Sequence, residues 1–413
     1  MANSNLTVDV IAKEALLQLD NNLVMAKQVH RGLESEFGNA MNGYMAGSTV
    51  SIRRPTDFTV RDGANVSNQD VVEGTTSITV NKQKGVDFVF TSQELTLNIN
   101  ELSERVIKPA MVQLANQVDA DIFDLYKQVP NWVGTPGQTI NSFTDFAVAP
   151  QRMDEYAVPA DGRSAVLSPS DHWGLLGSQT SLYIQDAAKG AYRNGSLGAI
   201  GGVDTYMAQN VPTHTVGVAT GTPLVNGGSQ VSTYVSVKDT MTQTLNTDGW
   251  TNSTTGILKA GDVFTIANVY AVNPITKATL PFLKQFTVTA DANSGASTGP
   301  SALTIYPAII DSGAFKNVSA APADNAAITV LGTGGTGYRQ NLAFHKNAFA
   351  LAMVPMIAPP GAVDVSRQSY KGTSVRLIPY FTGTSETTVW RFVSISVTKA
   401  IDPRLATRFS GTA

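Results

Sequence analysis

Residues 49–60, TVSIRRPTDFTV, lead out to a polar tip, and residues 78–90, ITVNKQKGVDFVF, lead back. Val50, Ile52, Phe58 and Val60 alternate with polar neighbours on the way out, as Ile78, Val80, Val86, Phe88 and Phe90 do on the return. Alternation with a period of two predicts a two-stranded antiparallel hairpin. The tip, Asp62-Gly63-Ala64-Asn65 through Glu73-Gly74-Thr75, consists of turn formers and charges. A hairpin this long is only marginally stable alone in water, so its apolar face is expected to find cover on another molecule. Assembly is therefore expected before chemistry.

Upstream, Val8, Ile11, Ala12, Ala15, Leu16 and Leu19 recur at helical spacing, followed by Leu23, Val24, Met25 and Val29, which predicts a helical arm from Asn5 to about Phe37. Downstream, Thr91-Ser92-Gln93-Glu94 reads as a capping box opening a helix. Leu102, Val106, Ile107, Met111, Leu114, Ala115, Val118, Ile122, Phe123, Tyr126 and Val129 then recur every three or four positions as one long spine helix ended by Pro130. Pro109 either kinks it or opens its main part.

The remainder reads as α+β. Between Asn131 and Val216 the pattern predicts a helix over Phe143–Tyr156 interrupted at Pro150, a buried strand at Ser164–Leu167, and a helix over Leu182–Gly190 before a glycine-rich turn at Gly195–Gly202. From Gly217 to about Gly337 helical periodicity disappears, and strands are expected at Val231–Val237, Val263–Val269, Phe286–Thr289, Leu303–Tyr306 and Ile328–Leu331, describing a barrel or sandwich inserted in the α+β unit. Val375–Ile378 and Val389–Val397 return as strands that complete the earlier domain. The expected layout is arm 1–48, extended hairpin 49–90, spine 91–130, central α+β domain 131–216, inserted β domain 217–340 and return strands 341–413.

A chain of 413 residues carries 29 basic and 32 acidic side chains, a net charge of −3, which argues against binding driven by phosphate neutralisation. Residues 1–130 carry −5 and residues 341–413 carry +5. These ends would attract each other, either between copies or within one chain. The absence of cysteine excludes disulfides, thiolate metal sites and thiol nucleophiles. The amino terminus lacks a basic start and apolar run, so no secretory signal is expected. The uncharged run Asn347–Val363 is short and carries Pro355, Pro359 and Pro360, so no membrane span is expected.

Chemical motifs are discounted on context. Gly332-Thr333-Gly334-Gly335-Thr336-Gly337 satisfies G-x-G-x-x-G but follows all-β sequence, and is read as a flexible joint. Gly295-Ala296-Ser297-Thr298-Gly299 matches a nucleophile elbow but sits in a polar hairpin loop. His30, His172, His214 and His345 lack second ligands at metal spacing, and a capped helix start accounts for Ser170 and Asp171 beside His172. Asp119, Asp121 and Asp124 read as a solvated helix face. No catalytic, cofactor or metal site is expected, and the chain is expected not to be an enzyme.

The charges of the hairpin, Arg53, Arg54, Arg61, Asp57, Asp62, Asp70 and Glu73, either block wrong edge pairing or set a docking register against the acidic spine of a neighbouring copy. Arg53, Arg54, Phe58, Arg61, Asp70, Glu73, Lys82 and Lys84 are the candidate contacts between subunits.

The order arm, hairpin, spine, α+β domain, β insertion and return resembles the major capsid proteins of tailed bacteriophages with the Hong-Kong-97-type fold, especially the short-tailed-phage coat proteins with an inserted β domain. The residues bearing the likeness are Ile52–Pro55, Phe58–Gly63, Ser103–Ala110, Leu114–Asp119, Gly198–Gly202 and Gln209–Pro212. The resemblance implies hexamers and pentamers closing an icosahedral shell in the host cytoplasm around a scaffolding protein. It further implies expansion of this procapsid as double-stranded DNA enters through a portal protein. Some relatives weld subunits with an isopeptide bond from a hairpin lysine to an asparagine near the carboxyl end. Lys82 and Lys84 could donate, but no asparagine follows Asn347, so noncovalent locking is expected. A bacterial nanocompartment shell is the alternative of similar architecture.

Overall fold

The computed structural model describes residues 8–33, 40–41, 44–45, 49–61, 63–66, 68–91, 103–179, 197–359 and 364–412. The expected capping box at Ser92–Glu94, the helix Leu182–Gly190 and Asp62 at the hairpin tip lie outside them. Contacts divide the chain into two units, one built from Met1–Ser51, Ser77–Ile122 and Phe349–Lys399, the other from Ile52–Thr76, Phe123–Ala348 and Ala400–Ala413.

In the first unit the arm helix Val8–Asn22 buries Ile11, Ala12, Ala15, Leu16 and Leu19, the stripe that helical spacing predicts. It packs against the strands Ser366–Tyr370 and Thr373–Thr382, and Asp9 accepts a hydrogen bond from the Ser366 hydroxyl at 2.5 Å. Beyond the helix, the His30 amide donates to the Phe349 carbonyl at 3.0 Å and the Leu351 amide donates back to His30 at 3.1 Å. The arm is thereby clipped to the edge of the strand Phe349–Val354.

The spine runs helically from Ser103 to Gln128, first as a π turn (Ser103–Ile107), then as α-helix (Lys108–Phe123), then as a tighter 3-10 turn (Asp124–Gln128). Pro109 stands second in the α segment, where its missing amide costs little, so it opens the main helix.

The outgoing strand Thr49–Arg53 pairs with Thr75–Thr79, and among the described residues no strand occurs between them. This corrects the expected ladder in two ways. Pro55 has no amide to donate, and the strand stops before it. The return segment Lys82–Thr91 pairs instead with Thr387–Ala400 over ten positions, from Thr387 opposite Thr91 to Ser396 opposite Lys82. Alternation shows that one face is buried but is silent about the partner. Thr387–Ala400 also pairs with Thr373–Thr382 in a five-stranded sheet that includes Phe349–Val354 and Ser366–Tyr370.

The second unit holds two six-stranded sheets. One runs Gly221–Val225, Gln243–Trp250, Ser301–Tyr306, Thr279–Val288, Val263–Val272 and Ile328–Val330, and a bridge from Leu224 to Ala327 brings its two edges together as a barrel. Leu245, Phe264, Ile266, Phe286, Leu303 and Ile305 fill its interior, each contributing roughly 1.5–3 kcal/mol by leaving water. The expected strand Val231–Val237 is instead a helical turn, Tyr234–Val237, with Tyr234 stacked on Phe315. That contact outweighs the β propensity of Tyr and Val. The strands Gly221–Val225 and Gln243–Trp250 are additional to those expected.

The other sheet is mixed and runs Trp132–Val133, Ala406–Phe409, Asn341–His345, Arg163–Leu167, Val203–Met207 and Ala199–Ile200. The helix Phe143–Glu155 packs on it through Phe146, Ala149 and Met153 and continues through Pro150, where an interruption is expected from sequence. Burial of that face offsets the hydrogen bond that Pro150 cannot make. Gly332–Gly337 is likewise packed rather than loose. A Cβ on Gly334 would fall 2.1 Å from the Val218 carbonyl oxygen, and the Thr333 amide donates to the Tyr338 hydroxyl at 2.9 Å.

A buried polar node joins the barrel to this mixed sheet. Fully buried Arg408 donates to the carbonyls of Val129 (2.5 Å) and Gly261 (2.7 Å), to Gln340 (3.3 Å) and to the Thr287 hydroxyl (3.2 Å). Beside it His214 links Tyr126 at 2.9 Å to Asp262 at 2.7 Å, and Asp262 accepts the Gly217 and Lys259 amides. Burial pushes the Tyr126 hydroxyl up to about 12 and the Arg408 guanidinium down to about 10.

Candidate functional site

Where strand pairing ends, one more backbone bond and then side chains hold the hairpin. The Arg54 amide donates to the Gly74 carbonyl at 2.8 Å, and the Arg53 guanidinium meets Glu73 at 2.9 Å. Further out, Gln69 stands in for a facing strand. Its Oε1 accepts the Thr59 amide (2.9 Å) and hydroxyl (3.0 Å), and its Nε2 donates to the Thr59 carbonyl at 2.6 Å. Arg61 closes the tip by donating to the carbonyls of Gly63 and of Asn65, the latter at 2.8 Å. These contacts hold described residues of the tip while leaving their apolar neighbours in water. Phe58 is 54% exposed, Val60 97%, Val66 80% and Val71 66%. Asp70 is exposed as well.

At its base the hairpin is clasped to the barrel. Asp239 Oδ1 accepts the Thr75 amide at 2.8 Å and the Thr75 hydroxyl at 3.1 Å. Gly74 passes so close that a Cβ there would lie 2.2 Å from the Lys238 carbonyl oxygen. The Thr75 amide, with the Lys238 ammonium behind it, holds the Asp239 carboxyl down at about 2.

Lys82 and Lys84 are engaged within their own unit. Their ammoniums stand 3.2 Å and 3.8 Å from the two oxygens of Asp121 on the spine. Nearby in the same sheet Arg391 faces Asp87 at 3.2 Å, so part of the attraction between acidic front and basic tail is spent inside the chain. Phe88 packs against Phe90, Trp390 and Phe392, with ring centroids 5.3, 6.3 and 5.7 Å apart.

The three spine aspartates do not share a solvated face. Asp119 is 2% exposed and accepts the amides of Val24 (2.8 Å) and Ala26 (3.0 Å), Asp121 takes the hairpin lysines, and Asp124 pairs with Lys127 at 2.6 Å. His172 is buried, and the cap of its helix is Ser168, whose oxygen accepts the Asp171 amide at 3.2 Å. Asp171 itself accepts from Ile140 and Asn341 at 3.0 Å each. Ser297 lies in the loop expected for it, with a positive φ of 76°. Among the described residues no three His, Asp or Glu side chains gather as a metal site, and no helix is long and apolar enough to cross a membrane.

Local pattern does not single out Gln69 or Asp239 and misreads Asp119 as solvated, because each acts on backbone amides that carry no sequence signature. The one trace is that Lys238-Asp239 ends the long uncharged run Thr205–Val237.

The family described as P22 coat protein, gene protein 5, matches residues 1–407. The major capsid protein of Acyrthosiphon pisum secondary endosymbiont phage 1 is 24% identical over 429 residues, covering 100% of both chains. Among solved structures, a chain of Mycobacterium phage Che8 is similar over 94% of this chain and 90% of its own, with TM-score 0.49 and 13% identity. A chain from the mature capsid of bacteriophage PhiM1 is similar over 90% and 89%, with TM-score 0.40 and 12% identity. With hairpin, spine and mixed sheets arranged as above, and with its sequence matched almost from end to end, the chain belongs to the P22 coat protein family and is a structural protein of the phage capsid, a major capsid protein rather than an enzyme.

Proposed function

We propose that the chain closes an icosahedral shell of hexamers and pentamers around the phage's double-stranded DNA, built as a procapsid on a scaffolding protein and expanded as DNA enters through a portal. In this reading the fold is of the Hong-Kong-97 type, residues 217–340 form an inserted domain, and the tip 54–74 lies over the adjacent subunit. Arg53, Arg54, Phe58, Arg61, Asp70 and Glu73 make contact there, and Lys82 and Lys84 brace the hairpin from below. The observation that carries it is the set of exposed apolar side chains Phe58, Val60, Val66 and Val71 on a tip where Gln69 and Arg61 hold backbone groups. Each buried valine or phenylalanine contributes only roughly 1.5–3 kcal/mol, but closed symmetry repeats the contact around every ring. Expansion then switches rigid bodies between two packings. A family match over residues 1–407 speaks against a nanocompartment shell.

The test is Val60→Asp with Phe58→Ser, co-expressed with the scaffolding protein and imaged after sedimentation. A soluble, folded subunit that forms no shells is expected. Normal particles from this variant would remove the hairpin from the assembly contact.

A further inference from the structure

The second unit contains a cavity of about 390 Å³ to which the shell reading gives no ligand, and Pro55 and Asp57 at the start of the segment 54–74 line one side of it. Four cations line it, Lys277, Lys284, Lys316 and Arg404, against two carboxylates, Asp57 and Asp402. Asp402 is already committed, receiving Arg404 Nε at 2.9 Å and Nη2 at 2.7 Å. Lys284 is 5% exposed, and among the described residues no carboxylate lies within 4.0 Å of its ammonium, which sits 4.7 Å over the Tyr156 ring. The Lys277 Nζ is buried without a hydrogen-bond partner. Neither ammonium has a salt-bridge partner within 4.0 Å among the described residues, and Asp57 alone, free of Arg404, offsets Lys277 from a distance, so the cavity keeps an excess of positive charge that proteins tolerate when a ligand completes it.

We propose that this cavity is a receptor for a small dianionic oxyanion, inorganic phosphate or a phosphomonoester, held between Lys277 and Lys284 with Arg404 beside them. A carboxylate would neutralise one ammonium and leave the other bare, whereas a phosphate carries close to two charges at neutral pH and offers three acceptor oxygens. Lysine suits this as a compact charge on a flexible stem. Val272, Pro274, Pro307 and Phe315 line the rest of the cavity and suit the organic part of an ester.

The ammonium of Lys284 gives the site a pH signature. Burial, with Arg404 and Arg152 adding repulsion, brings it down to about 7. Asp402 faces the same cavity but is paired, and Asp57 lies nearer Lys277. A dianion entering the cavity restores the proton on Lys284, so binding takes up a proton and tightens as pH falls from 8 to 6. Sulfate, which stays doubly charged over that range, isolates this effect from the titration of phosphate itself.

The experiment is a melting series on the purified full-length subunit with millimolar phosphate, sulfate or adenosine monophosphate, against sodium chloride at equal ionic strength. Phosphate is expected to raise Tm by several degrees through binding to the folded state alone. Sulfate is expected to bind more tightly at pH 6 than at pH 8. Lys277→Met and Lys284→Met should each weaken phosphate about tenfold or more, as expected for loss of one charge-assisted contact. Lys284→Met should also melt higher than the parent in chloride alone, because it removes a buried unpaired charge, an outcome that a purely structural lysine would not give. Stronger binding of adenosine monophosphate assigns the ester as ligand, and equal or weaker binding assigns inorganic phosphate. The proposal fails if the parent shows no anion-specific shift, or if Lys277→Met combined with Lys284→Met shifts as much as the parent. Should Lys284→Met not fold, half-buried Lys277→Met alone decides by the same comparison.

Discussion

The buried carboxylate of Asp119 on the spine helix accepts the backbone amide of Ala26 at 3.0 Å, in the turn that follows the arm helix. The Val24 amide shares the same carboxylate. Asp119→Ala leaves both amides unsatisfied and is expected to destabilise the subunit by about 1–3 kcal/mol, measured by urea denaturation. Asp119→Asn, which can still accept, should cost less.

Burial, opposed by those amides, leaves the Asp119 carboxyl above its ordinary 3.8. The folded state therefore holds this proton more tightly than the unfolded chain does, so the stability the group contributes is greatest below 3.8 and is lost as pH rises through the raised value. The stability of the parent relative to Asp119→Asn should fall with rising pH across that window, read from denaturation midpoints. A difference that grows with pH would mean the carboxylate is stabilised rather than strained by its site.

Asp239→Ala opens the clasp on Thr75 and should speed proteolysis within 54–74 while leaving the barrel melt unchanged. Because the Asp239 carboxyl is held down at about 2, its contribution is present above 3.8 and is lost as pH falls from there toward 2. Gly74→Ala should act the same way, since its Cβ collides with the Lys238 carbonyl.

Arg408→Met removes five hydrogen bonds from the node and strands the Val129 and Gly261 carbonyls. A loss of roughly 3 kcal/mol or more is expected, seen as a lower denaturation midpoint. Lysine at this position should not rescue it, because a single ammonium cannot reach partners spread around a planar fork.

Lys82→Ala should change stability by less than about 1 kcal/mol, and less still at high salt, since its ion pair with Asp121 is partly exposed. Disassembled shells of the parent are expected to run as single chains on a denaturing gel. A ladder of linked subunits that Lys82→Ala or Lys84→Ala abolishes would show that this lysine has been consumed in a covalent weld.

Sequence periodicity by itself determined the arm stripe of Ile11, Leu16 and Leu19, the long spine, the buried strand ending at Leu167 and most of the barrel strands, since each buries a face that its own spacing encodes. Only the tertiary structure decided that Lys82–Thr91 joins Thr387–Ala400, that Gln69 replaces a strand opposite Thr59, and that Asp239 and Asp119 hold the hairpin and arm. It also brought Tyr126, His214, Asp262 and Arg408 to one buried node and turned Tyr234–Val237 into a helix. The physical reason is common to all of these. A pattern of apolar residues states that a face must leave water, while the identity of what covers it, and of the amide a lone carboxylate receives, depends on residues tens to hundreds of positions away.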